Sequence, residues 1–317
     1  LHLLSDLIDE LGPDVTVPSE PRTQGHWTPA SHASMLTGTH PGDHQYVGWT
    51  DEGTDLPIDP DHQTMAELLS EQGYKCSGLV SHGRLLPEAG FGRGFHRYEF
   101  QNMTSWLDRA TDGSDIYQRL SQWLATDTQS GTGGLFYFAH FFDAHYPYLP
   151  PLPADNIDLD LGVIDEFQDA TSTESYLNTD PTDIPMDVND LELIKTYYQE
   201  SIKYIAMLLM KLVDDLKRNG LFDDALIIVT GDHGEEFFEQ GVAGHDTLYD
   251  GNIRQGMIIK PPSQTDLPVP ETPDLIDVLP TVAQLVGAEV PSQCRGVSWQ
   301  DGEAETRPRI TERIRPD

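Results

Sequence analysis

Three places in this sequence gather side chains that can do chemistry. In the first, the apolar run Ala225-Leu226-Ile227-Ile228-Val229 is followed by Thr230-Gly231 and then by Asp232-His233-Gly234-Glu235-Glu236. A run so short and so rich in β-branched residues reads as a strand buried on both faces. Two ionisable side chains at its C-terminal tip stand where open α/β sheets place their ligands. A carboxylate beside an imidazole suits a divalent cation such as Zn²⁺ or Mn²⁺, although an isolated Asp-His pair is equally an ordinary capped turn. The second place is Gly25-His26-Trp27-Thr28-Pro29-Ala30-Ser31-His32. Thr before Pro predicts a helix N-cap with Pro at the first helical position, closed by Gly38. A hydroxyl there faces free backbone N–H groups and the positive end of the helix dipole, a setting that holds a tetrahedral oxyanion. A nucleophile at Thr28 would have its product anion stabilised as it forms. The third place is His145, in Asp143-Ala144-His145 at the end of the apolar run 135–142, again a polar group at a strand tip. His140, inside that run, reads as structural.

These groups need a frame, and the rest of the chain supplies one. Residues 1–11 carry apolar side chains at helical spacing and stop at Gly12-Pro13. Residues 63–80 read as a helix, a stop at Gly73 and a strand, an α/β alternation. Helices follow over 116–125 and 190–219, the second ending at Gly220 and leading into the strand at 225–229. A further strand is predicted at Met257-Ile258-Ile259, and the last helix ends by Gly287. The stretch 152–190 is rich in Asp and Pro and weakly periodic, and is expected to form an acidic surface insertion.

The charge balance excludes whole classes of partner. With 53 acidic against 19 basic residues and a formal net charge of -34 over 317 residues, the chain is repelled by nucleic acid and by anionic membrane surfaces. Lysine is scarce. An Asp-rich, Lys-poor coat suits a cell that keeps molar salt inside, where screening shortens the Debye length to about 3 Å, so a halophilic source is expected. Cys76 and Cys294 lie too far apart in sequence to imply a disulfide framework or a Cys-based metal site. No apolar run approaches the roughly 18 residues needed to span a bilayer, and no signal pattern precedes Leu1. On these features the chain is expected in the cytoplasm.

The blocks Trp27-Thr28-Pro29-Ala30-Ser31-His32-Ala33-Ser34-Met35-Leu36-Thr37-Gly38-Thr39-His40-Pro41, Val229-Thr230-Gly231-Asp232-His233-Gly234-Glu235 and Gly244-His245-Asp246-Thr247-Leu248-Tyr249-Asp250, in that order, resemble the sulfatase branch of the alkaline phosphatase superfamily. The resemblance covers nearly the whole chain. It implies a single domain over 1–317, a three-layer α/β/α sandwich with a mostly parallel central sheet, and cleavage of phosphate or sulfate esters by in-line attack with metal assistance. It implies Thr28 as nucleophile and metal ligand, and Asp232 and His233 as metal ligands. His145 and His245 would contact the substrate or its leaving group, and His32 stands where the family places an Arg near the substrate. Zn²⁺ or Mn²⁺ is the implied ion, with Ca²⁺ or Mg²⁺ as alternatives. Two departures shape these expectations. Sulfatases of this family use a Cys or Ser that is matured to formylglycine, a route closed to Thr28, which points to phosphate esters. The family's first strand, ending in an acidic metal ligand, has no counterpart ahead of the helix at 1–11, so a sheet short of one strand and a metal site short of one carboxylate are expected. A non-catalytic relative that binds an anion or metal is the alternative.

Overall fold

The computed structural model describes residues 2–46, 57–81, 83–100, 113–129, 131, 133–149, 160–172, 186–302 and 307–313, with the side chains of 168–172 left aside. The elements, in chain order, are α1 (Ser5–Leu11), α2 (Thr28–Thr37), α3 (Pro41–His44), α4 (Met65–Glu71), β1 (Lys75–Val80), β2 (Arg97–Phe100), α5 (Gly113–Gln129) and β3 (Leu135–His140). There follow α6 (Leu161–Ser172), α7 (Val188–Arg218), β4 (Ile227–Thr230), β5 (Glu236–Phe237), β6 (Ala243–Gly244), α8 (Asp250–Ile253), β7 (Met257–Lys260) and α9 (Val278–Leu285).

Local chemistry accounts for most boundaries. Gly12, with φ of 96°, turns the chain out of α1, and Gly38, with φ of 70°, closes α2 by donating its N–H to the Ser34 carbonyl. Thr64 and Glu67 form a reciprocal capping box at the start of α4. One boundary differs from the sequence reading. Trp27, not Thr28, is the N-cap of α2, and Thr28 is its first helical residue. The Trp27 carbonyl takes the first helical bond, from Ser31 N–H, and the Thr28 hydroxyl is left to point elsewhere.

Side-chain alternation along the strands builds three layers. Phe136, Phe138, Ile228, Met257 and Ile259 face a core shared with α2, α4 and α9. Tyr137 and Ala139 face α5 and Leu212 of α7, while Ile227, Val229 and Ile258 face α1 together with Leu209 and Val213 of α7. Helices therefore cover both faces, as a three-layer α/β/α arrangement requires.

Within the middle layer the strands form two ladders. β2, β1 and β3 are parallel, with Ser77 opposite Arg97 and Val80 opposite His140. β4 pairs with β7, Thr230 opposite Met257, and this pair is antiparallel. The expectation that the strand at 225–229 has mostly parallel neighbours is thus corrected at its one hydrogen-bonded partner. An antiparallel bridge from Thr16 to Ile259 covers the far side of β7. Among the described residues no strand pairs with the second edge of β3 or of β4, and α7 spans both. All residues of β3 and β4 are half-buried, whereas the last five of β1 and all of β7 are buried. Among the described residues a seam therefore runs between the ladders.

The acidic stretch 152–190 contains more structure than its composition suggests. Residues 150–159 and 173–185 lie outside the described residues, but 161–172 form α6. Val163, Ile164 and Phe167 are buried there in a cluster with Tyr148, Tyr197, Phe237 and Phe238. Their spacing puts them on one helical face, while Asp165 and Glu166 face solvent. Among the described residues no helix is long and apolar enough to cross a membrane.

Candidate functional site

The start of α2 and the tips of β3 and β4 meet at one end of the seam. Every residue of α2 is buried, and the polar ones are satisfied locally: Ser31 Oγ donates to the Gly25 carbonyl and Thr37 Oγ1 to the Ala33 carbonyl, at 2.9 and 2.7 Å. Gly25 must be Gly, because a Cβ there would lie 2.7 Å from Ala30 Cβ and 2.8 Å from Ser31 N. The helix is thereby fixed at its entrance, and Thr28 is presented to β4. Its Oγ1 lies 3.4 Å from His233 Nε2, next to the Asp232 carboxylate whose charged form the hydroxyl favours.

All six residues singled out from the sequence come together here. His32, one turn along α2, places Nδ1 3.5 Å from Asp232 Oδ2. His233 Nε2 lies 3.5 Å from the same oxygen. The rings of His233 and His245 are 4.5 Å apart, and those of His245 and His145 are 5.4 Å apart. His145 stacks on Phe142 at 4.1 Å. His140 packs its ring edge-on to His32 at 5.0 Å, and its backbone carbonyl accepts from Ser81 Oγ at 2.7 Å, which suits its reading as a structural group.

The tautomers follow from the partners. A carbonyl oxygen only accepts, so the Nδ1 atoms of His32, His145 and His233 donate to the carbonyls of Thr28, Tyr146 and Gly234, at 2.7, 2.7 and 2.8 Å. Each ring is thus oriented by backbone, with Nε2 as its acceptor atom, the arrangement typical of histidines that ligate a cation. His245 differs: its Nδ1 donates at 3.1 Å to Glu235 Oε1, a carboxylate.

Electrostatics separates these groups. Burial pushes the imidazolium forms of His140 and His145 down to about 3 and about 4, with neighbouring histidines adding to the effect. Burial also lowers His233, against the pull of Asp232. Burial works against charge on His245 too, but the Glu235 carboxylate outweighs it and raises His245 above its ordinary value. Burial alone would raise the Asp232 carboxyl, yet the imidazoles of His233, His32 and His140 and the Thr28 hydroxyl hold it well below the usual range. The site therefore favours the charged form of one imidazole beside others whose charged forms are disfavoured.

Asp232 Oδ2 is a buried oxygen with no hydrogen-bond partner. Such an orphan calls for a cation or an ordered water, and with His233 Nε2 and Thr28 Oγ1 beside it the donor set fits a divalent metal in kind. Among the described residues no group of three or more His, Cys, Asp or Glu side chains converges to hold one, so the set is short of a protein ligand. Glu235 was not singled out from the sequence, because nothing in Glu235-Glu236 says which of the two reaches His245. In the structure Glu235 holds His245, while Glu236 opens β5.

Comparison with known proteins places this geometry. A region of choline-sulfatase from Rhizobium meliloti is 29% identical over 136 residues, 43% of this chain and 26% of that protein. A multifunctional alkaline phosphatase superfamily protein from Trinickia caryophylli is 29% identical over 126 residues, 39% of this chain and 24% of that protein. The matched part thus spans about a quarter of each curated relative. Among solved structures, the phosphonate monoester hydrolase of Silicibacter pomeroyi superposes with a TM-score of 0.65 at 18% identity, over 97% of this chain and 72% of that one. The lipoteichoic acid synthase LtaP of Listeria monocytogenes gives 0.62 at 15%, over 94% and 68%. Both likenesses are likenesses of fold. The family model described as Sulfatase matches residues 17–288, and with it the chain belongs to the sulfatase family of the alkaline phosphatase superfamily.

Proposed function

We propose that this chain is a metal-dependent phosphohydrolase or phosphotransferase that cleaves a phosphomonoester or diester through Thr28. The observation that carries the reading is the placement of the Thr28 hydroxyl, on the first turn of a buried helix, against both Asp232 and His233 Nε2. The Thr28 proton has two acceptors at hand. As Oγ1 attacks phosphorus, the bond from phosphorus to the leaving oxygen breaks, giving a phosphothreonine. The first turn of α2 offers its N–H groups to the equatorial oxygens. His245, whose charged form Glu235 favours, is the group suited to give a proton to the leaving oxygen. Water then attacks the phosphothreonine and restores the hydroxyl.

Asp232, His233 and Thr28 would hold the divalent ion, Zn²⁺ or Mn²⁺ by donor type. When bound, such an ion polarises the phosphoryl oxygens and lowers the pKa of a coordinated hydroxyl. With no further ligand to complete the set among the described residues, binding by these residues is expected to be weak.

One structural neighbour, the phosphonate monoester hydrolase, is named for phosphorus chemistry, while choline-sulfatase is named for the sulfate alternative. A threonine closes the formylglycine route that sulfate esters use in this family. The test compares p-nitrophenyl phosphate, a phosphodiester and p-nitrophenyl sulfate in molar salt with Mn²⁺ or Zn²⁺, for this chain and for one carrying an added N-terminal strand that ends in Asp. Phosphate-ester activity lost in Thr28→Ala supports the reading. Activity that survives Thr28→Ala excludes Thr28 as nucleophile, and two chains inert on every ester leave a non-catalytic anion- or metal-binding module as the better account.

A further inference from the structure

The loop that carries His245 and the segment that leads into Thr28 are tied together by a third piece of chain. Residues 307–313 form an extended strap. At its start Arg307 Nη2 lies 2.8 Å from Asp274 Oδ2 and 2.6 Å from Asp277 Oδ1, and Arg309 Nη2 lies 2.8 Å from Asp274 Oδ1. Both carboxylates are almost wholly buried, so this end is fixed. The strap then runs beside residues 23–25. Thr311 Oγ1 donates to the Thr23 carbonyl at 2.7 Å, Glu312 N–H to the Gln24 carbonyl at 2.9 Å, and Glu312 bridges to Gly25. The Glu312 carboxylate accepts from Gly42 N–H at 2.7 Å.

At its far end Arg313 grips Asp246 with two bonds, Nε to Oδ1 at 3.2 Å and Nη2 to Oδ2 at 2.8 Å. Asp246 Oδ1 also lies 3.4 Å from Nε2 of the buried His26. Asp246 directly follows His245, and His26 stands two residues before Thr28. The ring of contacts closes through Thr28, His233 and His245. Among the described residues the ladder next to the His245 loop is the two-residue pair of β5 and β6.

We infer that Asp246 is a positioning residue, locked by Arg313 of the strap and joined to His26, which sets the distance between His245 and Thr28. A bidentate Arg-carboxylate pair fixes direction as well as distance, and misplacing a reacting group by about 1 Å can cost on the order of 10²-fold in rate. The inference rests on the reaction proposed above and deepens it.

The test measures kcat and KM on the best ester for Asp246→Ala, Arg313→Ala, the double variant and Arg313→Lys. Each single change is expected to lower kcat about tenfold or more with KM within about twofold. The double variant should lose no more than the worse single, as residues acting as one unit do, and Arg313→Lys, which keeps the charge but not the two-pronged grip, should recover only part of the rate. A rise in KM with kcat unchanged would make Arg313 a substrate contact instead, and losses that multiply in the double variant, or no loss at all, would overturn the inference. If the parent is inert on every ester, the proposed reaction falls by itself. Amide exchange then decides the linkage: Arg313→Ala must speed exchange in both 243–249 and 23–28, and unchanged exchange at 23–28 refutes it.

Discussion

The flanks of the central layer and its seam are built from the same kinds of residue and end in different states. β1 and β7 bury nearly every side chain, while β3 and β4, equally apolar, leave each of theirs half-buried. Burial on both faces of a strand needs a neighbour on each edge as well as helices above and below, and among the described residues the seam has only the helices. The candidate site, where Thr28, Asp232 and His233 meet, lies at the end of this seam. A site at a discontinuity in a sheet is a familiar outcome, since strand ends that diverge leave room for a ligand.

The largest expected effect lies on the flank. Ile258, 1% exposed on β7, should cost about 2–5 kcal/mol when changed to Ala, read as a shift in urea midpoint. Val229→Ala on β4 should cost about 1 kcal/mol, because less apolar area leaves water. Equal losses would break the distinction between flank and seam. An added N-terminal strand should raise the cost at Val229 and leave that at Ile258 unchanged.

Acid comes next. His44 and His140 are both pushed down to about 3 by burial. Their folded values lie below the ordinary 6.5, so the unfolded chain binds more protons between pH 6.5 and 3. Stability is then complete above pH 6.5 and falls as pH drops through that window, by up to about 1.4 kcal/mol per pH unit for each group. His44 is enclosed against Ser34 and Tyr46, whereas His140 sits at the seam. With both values near 3, His44→Gln and His140→Gln should flatten the acid slope of the urea midpoint between pH 7 and 4.5 by similar amounts, and a clearly smaller effect at His140 would show that the seam is the wetter place.

Amide exchange gives a smaller contrast: β3 and β4 should exchange faster than β1 and β7 by about tenfold, a difference near 1.4 kcal/mol in local opening. The least effect is salt. We propose a halophilic origin from the net charge of -34, and raising NaCl from 0.1 to 2 M should lift the melting temperature by about 2 °C or more as repulsion is screened. Screening acts on the whole coat, so the contrast in exchange between flank and seam should persist. A melting temperature that falls with salt would end the halophile proposal.

Much of this was legible because residue type carried it. Thr28 before Pro29 marks a helix start, and Asp232-His233 after a β-branched run marks a strand tip, whatever the tertiary context. What was not legible depends on partners. The direction of β4 against β7 leaves no trace in a period of two, which parallel and antiparallel strands share. Thr28 reads as a cap because a hydroxyl usually bonds its own helix, but here Asp232 and His233 compete for it and Trp27 takes the cap position. In 161–172 the acidic residues dominate the composition, although Val163, Ile164 and Phe167 stand at helical spacing. His26 and Asp246 carry no signal of their own, since their contact joins residues distant in sequence and needs Arg313 to complete it.

The seam also bears on how this chain behaves in company. Two apolar strand edges without a strand alongside, among the described residues, are templates on which another copy can add its own backbone. Neither β3 nor β4 carries a proline, an acidic residue, a Lys or an Arg, so neither has the usual gatekeepers of an edge. Keeping copies apart falls to the uniform negative coat, whose long-range repulsion is the property that strong salt removes. Colloidal behaviour and fold stability should then respond to salt in opposite directions, with concentrated brine tightening each molecule while drawing molecules together along their seams.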